Sequence, residues 1–265
     1  MAGVAGKVAL VTGAGSAGGI GFATARLLRA AGAKVAITST TDRIHERRDE
    51  LGGGDGESFA KPADLTDPAA VAELVEAVET TLGPLDILVN NAGMVQVGRD
   101  TPSLPLREVP DEAWRYGLDI SLTSAFLVTR AVLPGMVARR YGRIVQMSSV
   151  TGPLVGIAGS SVYAAAKAGL LGMTRALAIE VGQHNVMVNC IAPGWIETAS
   201  SSEAEIVAGR HTPVGRAGTP EEVGHLAVFL ASEEASYITG QLFVVDGGNT
   251  IQEYKVALDT SADGA

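Results

Sequence analysis

The chain has 265 residues, of which 46% are hydrophobic and only 5% aromatic, and a formal net charge of −9. That length suits one α/β domain with an ample aliphatic core. The acidic balance argues against a nucleic-acid partner, which needs a clustered basic surface, and the single cysteine, Cys190, excludes an intrachain disulfide.

In chain order, Lys7 to Thr12 is a short apolar run that predicts a buried strand. Gly13-Ala-Gly-Ser-Ala-Gly-Gly-Ile-Gly21 follows, and Phe22 to Ala31 carries a helical pattern that ends at Gly32. Strand, glycine-rich turn and helix in this order suit a dinucleotide. Glycines let the backbone approach a pyrophosphate, and a helix N-terminus offers free N–H groups and partial positive charge. Gly13, Ser16, Gly19, Ile20 and Gly21 are therefore candidate cofactor contacts. A second strand, Lys34 to Thr38, should end beside the adenosine ribose, where an acidic side chain would select NAD. This chain has Ser39, Thr40 and Thr41 there, with Arg43 just beyond. Hydroxyls and an arginine suit a 2′-phosphate that a carboxylate would repel. NADP(H) is the expected cofactor, with NAD(H) as the alternative.

Gly52-Gly-Gly-Asp-Gly56 reads as a turn-rich connection. Asp67 to Leu82 predicts an amphipathic helix with Pro68 at a favoured first-turn position. Glu112 to Arg140 predicts a long helical segment that Pro134 should kink or break. The runs Val8–Val11, Ile87–Val89, Ile144–Met147 and Val186–Ala192 are continuously apolar. Between amphipathic helices they indicate an α/β fold: one Rossmann-type doubly wound parallel sheet of about seven strands, covered on both faces. Glu203 to Arg210 suits one or two helical turns, and the end, Asp259 to Ala265, is expected to fray.

The segment Tyr163 to Val181 predicts another helix and opens with Tyr163-Ala-Ala-Ala-Lys167. Side chains four apart share a helix face. A free phenol has a pKa of about 10, and a cation held close should pull it toward working pH. Such a tyrosine exchanges a proton with an alcohol or carbonyl oxygen, and a serine from Ser148-Ser149 can hydrogen-bond the same oxygen. Alone, Tyr-x-x-x-Lys is a weak signal; the glycine-rich unit gives it meaning.

These motifs in this order resemble the short-chain dehydrogenase/reductase family. The match runs from about Lys7 to Gly248, through Thr12-Gly13…Gly19-Ile-Gly21, Asp64-Leu65, Asn90-Asn-Ala-Gly93, Ser148-Ser149, Tyr163-x-x-x-Lys167, Pro193-Gly194…Thr198 and Asp246-Gly-Gly248. The resemblance implies hydride transfer between NADP(H) and a ketone or secondary alcohol. Tyr163 would be the acid/base, Lys167 its tuner and ribose ligand, and Ser149 the substrate-orienting hydroxyl. Asp64 and Leu65 would line the adenine, Asn91, Ala92 and Gly93 the middle of the cofactor, and Pro193, Gly194, Ile196 and Thr198 the nicotinamide. It also implies a mobile lid over residues 198–218 and a homotetramer.

Three departures from the family pattern stand out. Ile120-Ser121-Leu122 holds a serine where an asparagine usually supports a proton relay. Ala17 and Gly18 lengthen the glycine loop by two, and Gly18 replaces a basic residue frequent in NADP-dependent relatives. The gap from Ser149 to Tyr163 is one residue longer than is usual in the family. Tyr163-Ala-Ala-Ala-Lys-Ala-Gly-Leu170 and Gly215-Arg-x-Gly-x-Pro-Glu-Glu222 look most like the 3-oxoacyl-[acyl-carrier-protein] reductase branch. A carrier-protein or CoA thioester is therefore one candidate substrate, with Arg139 and Arg140 as candidate docking residues and His184 where an arginine is often found. A stand-alone ketone/alcohol oxidoreductase is nearly as well supported, and a non-catalytic dinucleotide sensor is the third reading. His45, His184, His211 and His225 lack paired ligand spacing, so no metal is expected. Met1 to Lys7 is no signal peptide and no stretch reaches about 18 uninterrupted apolar residues, so a cytoplasmic protein without a membrane span is expected.

Overall fold

The computed structural model of the chain describes residues 3–93 and 103–253; the tail expected to fray, 259–265, lies outside them. The strands are β1 (Val8–Thr12), β2 (Lys34–Thr38), β3 (Ser58–Ala60), β4 (Ile87–Asn90), β5 (Gly142–Met147), β6 (Val186–Pro193) and β7 (Leu242–Val245). They form one seven-stranded sheet in the order β3-β2-β1-β4-β5-β6-β7, with every pairing parallel. Connections between parallel strands must cross over, and the helices that do so cover both faces.

Alternation along β1 divides the core. Ala9 and Val11 pack with Phe22 and Leu28 of α1 (Ile20–Ala30) and with Val223 and Val228 of α8 (Pro220–Leu230). Val8 and Leu10 pack with Leu74 and Val78 of α3 (Pro68–Leu82) and with Val128, Val132 and Met136 of α5 (Ser124–Arg139). Because both faces are covered, the strands read as unbroken apolar runs. The α3 start is fixed by Asp67, whose carboxylate accepts from the N–H of Ala69 at 2.9 Å, with Pro68 in the first turn. The short α2 (Arg43–Leu51) follows β2.

The segment from Glu112 to Arg140 departs from expectation. It forms α4 (Asp111–Leu118), a π-helical turn at Asp119–Thr123, and α5, which runs through Pro134 without a break. Proline removes a hydrogen bond to the carbonyl four residues back, here that of Arg130. Both Arg130 and Pro134 are solvent-exposed, so water can satisfy that carbonyl and the loss is inexpensive. The interruption falls instead at the π turn that carries Ser121.

Two helical stretches, Asp111–Arg139 and Ser161–His184, are long and apolar enough to cross a membrane by length and composition alone. In the fold Val128 and Met136 of the first and Leu177 and Val181 of the second are buried against the sheet.

Candidate active site

Beyond Thr12 the chain turns into α1 on one face of the sheet, and beyond Asn90 it turns toward the other. Diverging loops at adjacent parallel strands open a crevice at the C-terminal ends of the strands. Here that crevice is a cavity of about 1440 Å³. Of the sequence-predicted site residues, Gly13, Ser16, Gly19, Ile20, Ser39, Thr40, Asp64, Leu65, Asn91, Ala92, Gly93, Ser121, Ser149, Tyr163, Lys167, Pro193, Gly194, Ile196 and Thr198 all line it. Gly21 does not. A Cβ at Gly21 would stand 2.5 Å from Asn91 Nδ2 and 2.7 Å from the Gly13 carbonyl oxygen, so its part is close packing beneath the loop.

The two residues that lengthen the glycine loop, Ala17 and Gly18, are the middle of a tight turn closed by the Gly19 N–H on the Ser16 carbonyl at 3.1 Å. Helix α1 then starts from Gly19 with no side-chain cap and no acidic residue in its first turn. Its leading N–H groups and positive dipole end therefore meet no carboxylate of their own, which fits the pyrophosphate of a dinucleotide. Asn91 secures this loop from below: its Nδ2 donates to the Thr12 and Gly13 carbonyls at 3.2 and 3.0 Å. Thr12 Oγ1 in turn accepts from the N–H groups of Asn91 and Ala92, each at 3.0 Å. At the β2 end, Ser39 Oγ donates to the Thr41 carbonyl at 3.2 Å and Arg43 Nε to Thr41 Oγ1 at 3.4 Å. Ser39, Thr40, Thr41 and Arg43 line the cavity, and Asp42 does not. Asp64 Oδ1 is oriented by the N–H and hydroxyl of Thr66 at 2.9 and 2.7 Å.

The proton-transfer end lies where β5 runs out and α6 (Ser161–Val181) begins. The two serines diverge. Ser148 Oγ donates to the Lys167 carbonyl at 2.8 Å and anchors the helix. The Ser149 hydroxyl accepts from the Thr151 N–H at 3.1 Å and lines the cavity together with Tyr163. Lys167 is 3% exposed, and its Nζ donates to the Met147 carbonyl at 2.8 Å, 5.6 Å from the Tyr163 ring centre. Burial pulls the Lys167 ammonium down to about 8. Burial also raises the Tyr163 phenol above its ordinary value, the nearby Ser149 hydroxyl working against this and the charge of Glu205 adding to it. The expected lowering of Tyr163 by Lys167 is therefore not met in this arrangement. Desolvation of the phenol dominates, and the Lys167 ammonium is engaged with the Met147 carbonyl instead.

Ser121 is buried on the π turn and its Oγ donates to the Gly93 carbonyl at 3.4 Å. Gly93 holds φ +114°, and a Cβ there would stand 2.6 Å from both the Ile120 oxygen and the Ser121 Cα. Only glycine fits this close approach.

Other residues of the cavity wall were not named individually as site residues from sequence. Glu112 and Tyr116 come from α4, Val155 and Ile157 from the loop after β5, Trp195 from the loop after β6, and Glu205 from α7 (Glu203–Arg210). No local spacing marks them, because they converge from separate loops. His211, at the end of α7, also lines the cavity. Arg139 and Arg140, by contrast, stand just before β5, at the opposite end of the sheet, where they donate to the carbonyls of Leu85 and Gln183. His184 likewise precedes β6. None of the three borders the cavity. Among the described residues no group of His, Cys, Asp or Glu could hold a metal.

A family profile described as Enoyl-(Acyl carrier protein) reductase matches residues 13–250. The chain is 39% identical over 265 residues to Oxidoreductase UcpA of Salmonella typhimurium, covering 96% of this chain and 98% of that protein. It is 42% identical over 247 residues to 3-oxoacyl-[acyl-carrier-protein] reductase FabG of Vibrio cholerae, covering 92% and 97%. A solved short chain dehydrogenase/reductase family protein superposes with a TM-score of 0.83 at 34% identity, over 94% of this chain and 100% of that one. A Serratia marcescens short-chain dehydrogenase/reductase mutant gives 0.83 at 31%, over 94% and 99%. With this profile match and the fold and sequence of these relatives along nearly its whole length, the chain is an oxidoreductase of the short-chain dehydrogenase/reductase family.

Proposed function

We propose that this protein transfers a hydride between NADP(H) and a ketone or secondary alcohol, with Tyr163 exchanging the proton. The observation that carries the reading is that Ser149, Tyr163 and buried Lys167, its Nζ 5.6 Å from the Tyr163 ring centre, share the wall of the cavity that also holds the uncapped α1 start. When bound, the nicotinamide supplies or accepts the hydride. Tyr163 is protonated at neutral pH because its phenol lies above the ordinary value, so in reduction it gives its proton to the substrate oxygen. Ser149 orients that oxygen with a second hydrogen bond. Lys167 binds the nicotinamide ribose and, while charged, favours the phenolate left behind. Ser121 takes the relay position on the π turn.

The preference for NADP(H) over NAD(H) is supported by Arg43 and three hydroxyl residues on the cavity wall at the end of β2, with Asp42 off it. Residues 198–218 act as the lid over the substrate. The likeness to FabG makes a 3-oxoacyl thioester of a carrier protein or CoA one substrate candidate, beside simpler ketones. Exposed Phe126 on α5 and Ile179 on α6 support assembly as a homotetramer.

The test is oxidation of NADPH, and separately NADH, with a panel of ketones, an acetoacetyl thioester and a crotonyl thioester. Turnover of a ketone, faster with NADPH, is the expected result. Turnover of the crotonyl compound alone would move the reading to carbon–carbon double bonds. Binding of NADPH without any turnover would favour a dinucleotide sensor.

A further inference from the structure

Among the described lining residues the cavity carries the carboxylates Asp64, Glu112 and Glu205. Among the described lining residues the cationic side chains are Arg43, at the β2 end, and Lys167, engaged with the Met147 carbonyl. Glu112 and Glu205 both face the remaining space, with the imidazole of His211 at the far end of α7.

Glu205 is the better fixed of the two acids. It is the third residue of α7, and its Oε2 accepts from the N–H of Ser202 at 2.7 Å and from Ser202 Oγ at 2.9 Å. Ser202 Oγ accepts in return from the N–H of Glu205 at 3.3 Å, completing a capping box. A helix start is ordinarily a place where an incoming anion is welcome. Here the protein's own carboxylate holds it. The same charge acts on the Tyr163 phenol, so it lies within electrostatic reach of the reacting oxygen.

We infer that Glu205 is a specificity-determining residue that filters substrates by charge: the site takes ketones and alcohols that are neutral near the reacting carbon and rejects those bearing a carboxylate there. This rests on the reductase reading above. It separates 3-oxo esters and thioesters, which are accepted, from free 3-oxo acids, which are not.

The experiment compares ethyl acetoacetate with acetoacetate in the wild-type enzyme and in Glu205→Gln. Glutamine serves at the same capping position, so the lid helix is preserved. The wild type is expected to favour the ester. In Glu205→Gln, kcat/KM for acetoacetate should rise roughly tenfold, through KM, as expected when one nearby like charge is removed. The ester, which carries no charge for Glu205 to oppose, should gain less, so the acetoacetate-to-ester ratio of kcat/KM should rise. The pH profile should also move to lower pH, because Tyr163 loses a negative neighbour. Equal use of the two compounds by the wild type, or an unchanged ratio and pH profile in the variant, would overturn the filter. If neither compound turns over, the reductase reading fails instead. The filter is then decided by calorimetric titration of the NADPH-loaded protein with ethyl 3-hydroxybutyrate and 3-hydroxybutyrate. Ester bound and anion excluded, with the anion admitted by Glu205→Gln, upholds it; equal binding, or binding of neither, overturns it.

Discussion

Lys167 Nζ donates to the carbonyl of Met147 at 2.8 Å while standing 5.6 Å from the ring centre of Tyr163. The lysine thus reaches from the helix that carries the tyrosine to the end of the strand that carries the serines. Its burial lowers its pKa to about 8. Between about 8 and the unfolded value of about 10.4 the unfolded chain binds a proton that the folded one does not. Folding stability should therefore rise with pH through this window, the penalty of the buried cation being full below it. Against Lys167→Met, which has no such proton, the wild type should gain about 2 kcal/mol between about pH 8 and 9.5, at about 1.4 kcal/mol per unit. Urea unfolding of both proteins across that range checks it; parallel curves would show that Lys167 titrates normally.

Cofactor choice is expected to turn on the end of β2. Ser39→Asp places a carboxylate on the wall beside Gly15, whose Cβ position lies 2.9 Å from Ser39, and should shift preference toward NAD(H). Arg43→Ala should weaken NADPH and leave NADH nearly unchanged. Fluorescence titration with each cofactor measures both. An unaltered NADPH/NADH ratio in Ser39→Asp would mean that the ribose does not meet this strand end.

At the exit of the lid region, Arg216 grips Glu222 with two nitrogens at 2.9 and 2.7 Å, and Glu222 also caps α8 by accepting from the Thr219 N–H at 2.8 Å. These bonds hold the Glu222 carboxyl down at about 2. A depressed carboxyl contributes stability above its unfolded pKa and loses it as pH falls toward the folded value. The contribution should therefore fade between about 4.5 and 2. The pair is exposed, so the ionic part should be small and weakened by salt. Glu222→Ala should lower Tm by a few degrees at neutral pH, through the cap as much as the pair. A Tm equal to wild type would show the box to be idle.

Gly93 should tolerate no side chain. Its φ of +114° and the 2.6 Å approach of Ile120 and Ser121 make Gly93→Ala both strained and crowded. The conformation alone costs about 1–3 kcal/mol, and displacing the π turn adds to this. Chemical denaturation should show a loss beyond that range, with reduced NADPH affinity. A variant of wild-type stability would refute the crowding.

Where local chemistry sets structure, the sequence is a good guide. Lys34–Thr38 and Glu203–Arg210 are strand and helix with the expected ends, since apolar runs, turn glycines and a Ser-x-x-Glu box are all local signals. Pro134 misled because its cost depends on which way the orphaned carbonyl faces, a fact of packing. The π turn at Ser121 has no spacing of its own in the sequence, although it packs directly on Gly93. Tyr163 and Lys167 were legible as a pair four apart, but their protonation was not, since desolvation is a property of the assembled core. Trp195 was invisible as cavity wall for the same reason, and Glu205 was legible only as part of the lid expected over residues 198–218.

The most direct test of the account is Tyr163→Phe, assayed for ketone reduction beside NADPH binding. The account predicts that turnover falls by about 10²–10⁴-fold while the Kd for NADPH stays close to wild type. Turnover within a few-fold of wild type would contradict Tyr163 as the proton donor and, with it, the proposed chemistry of the site.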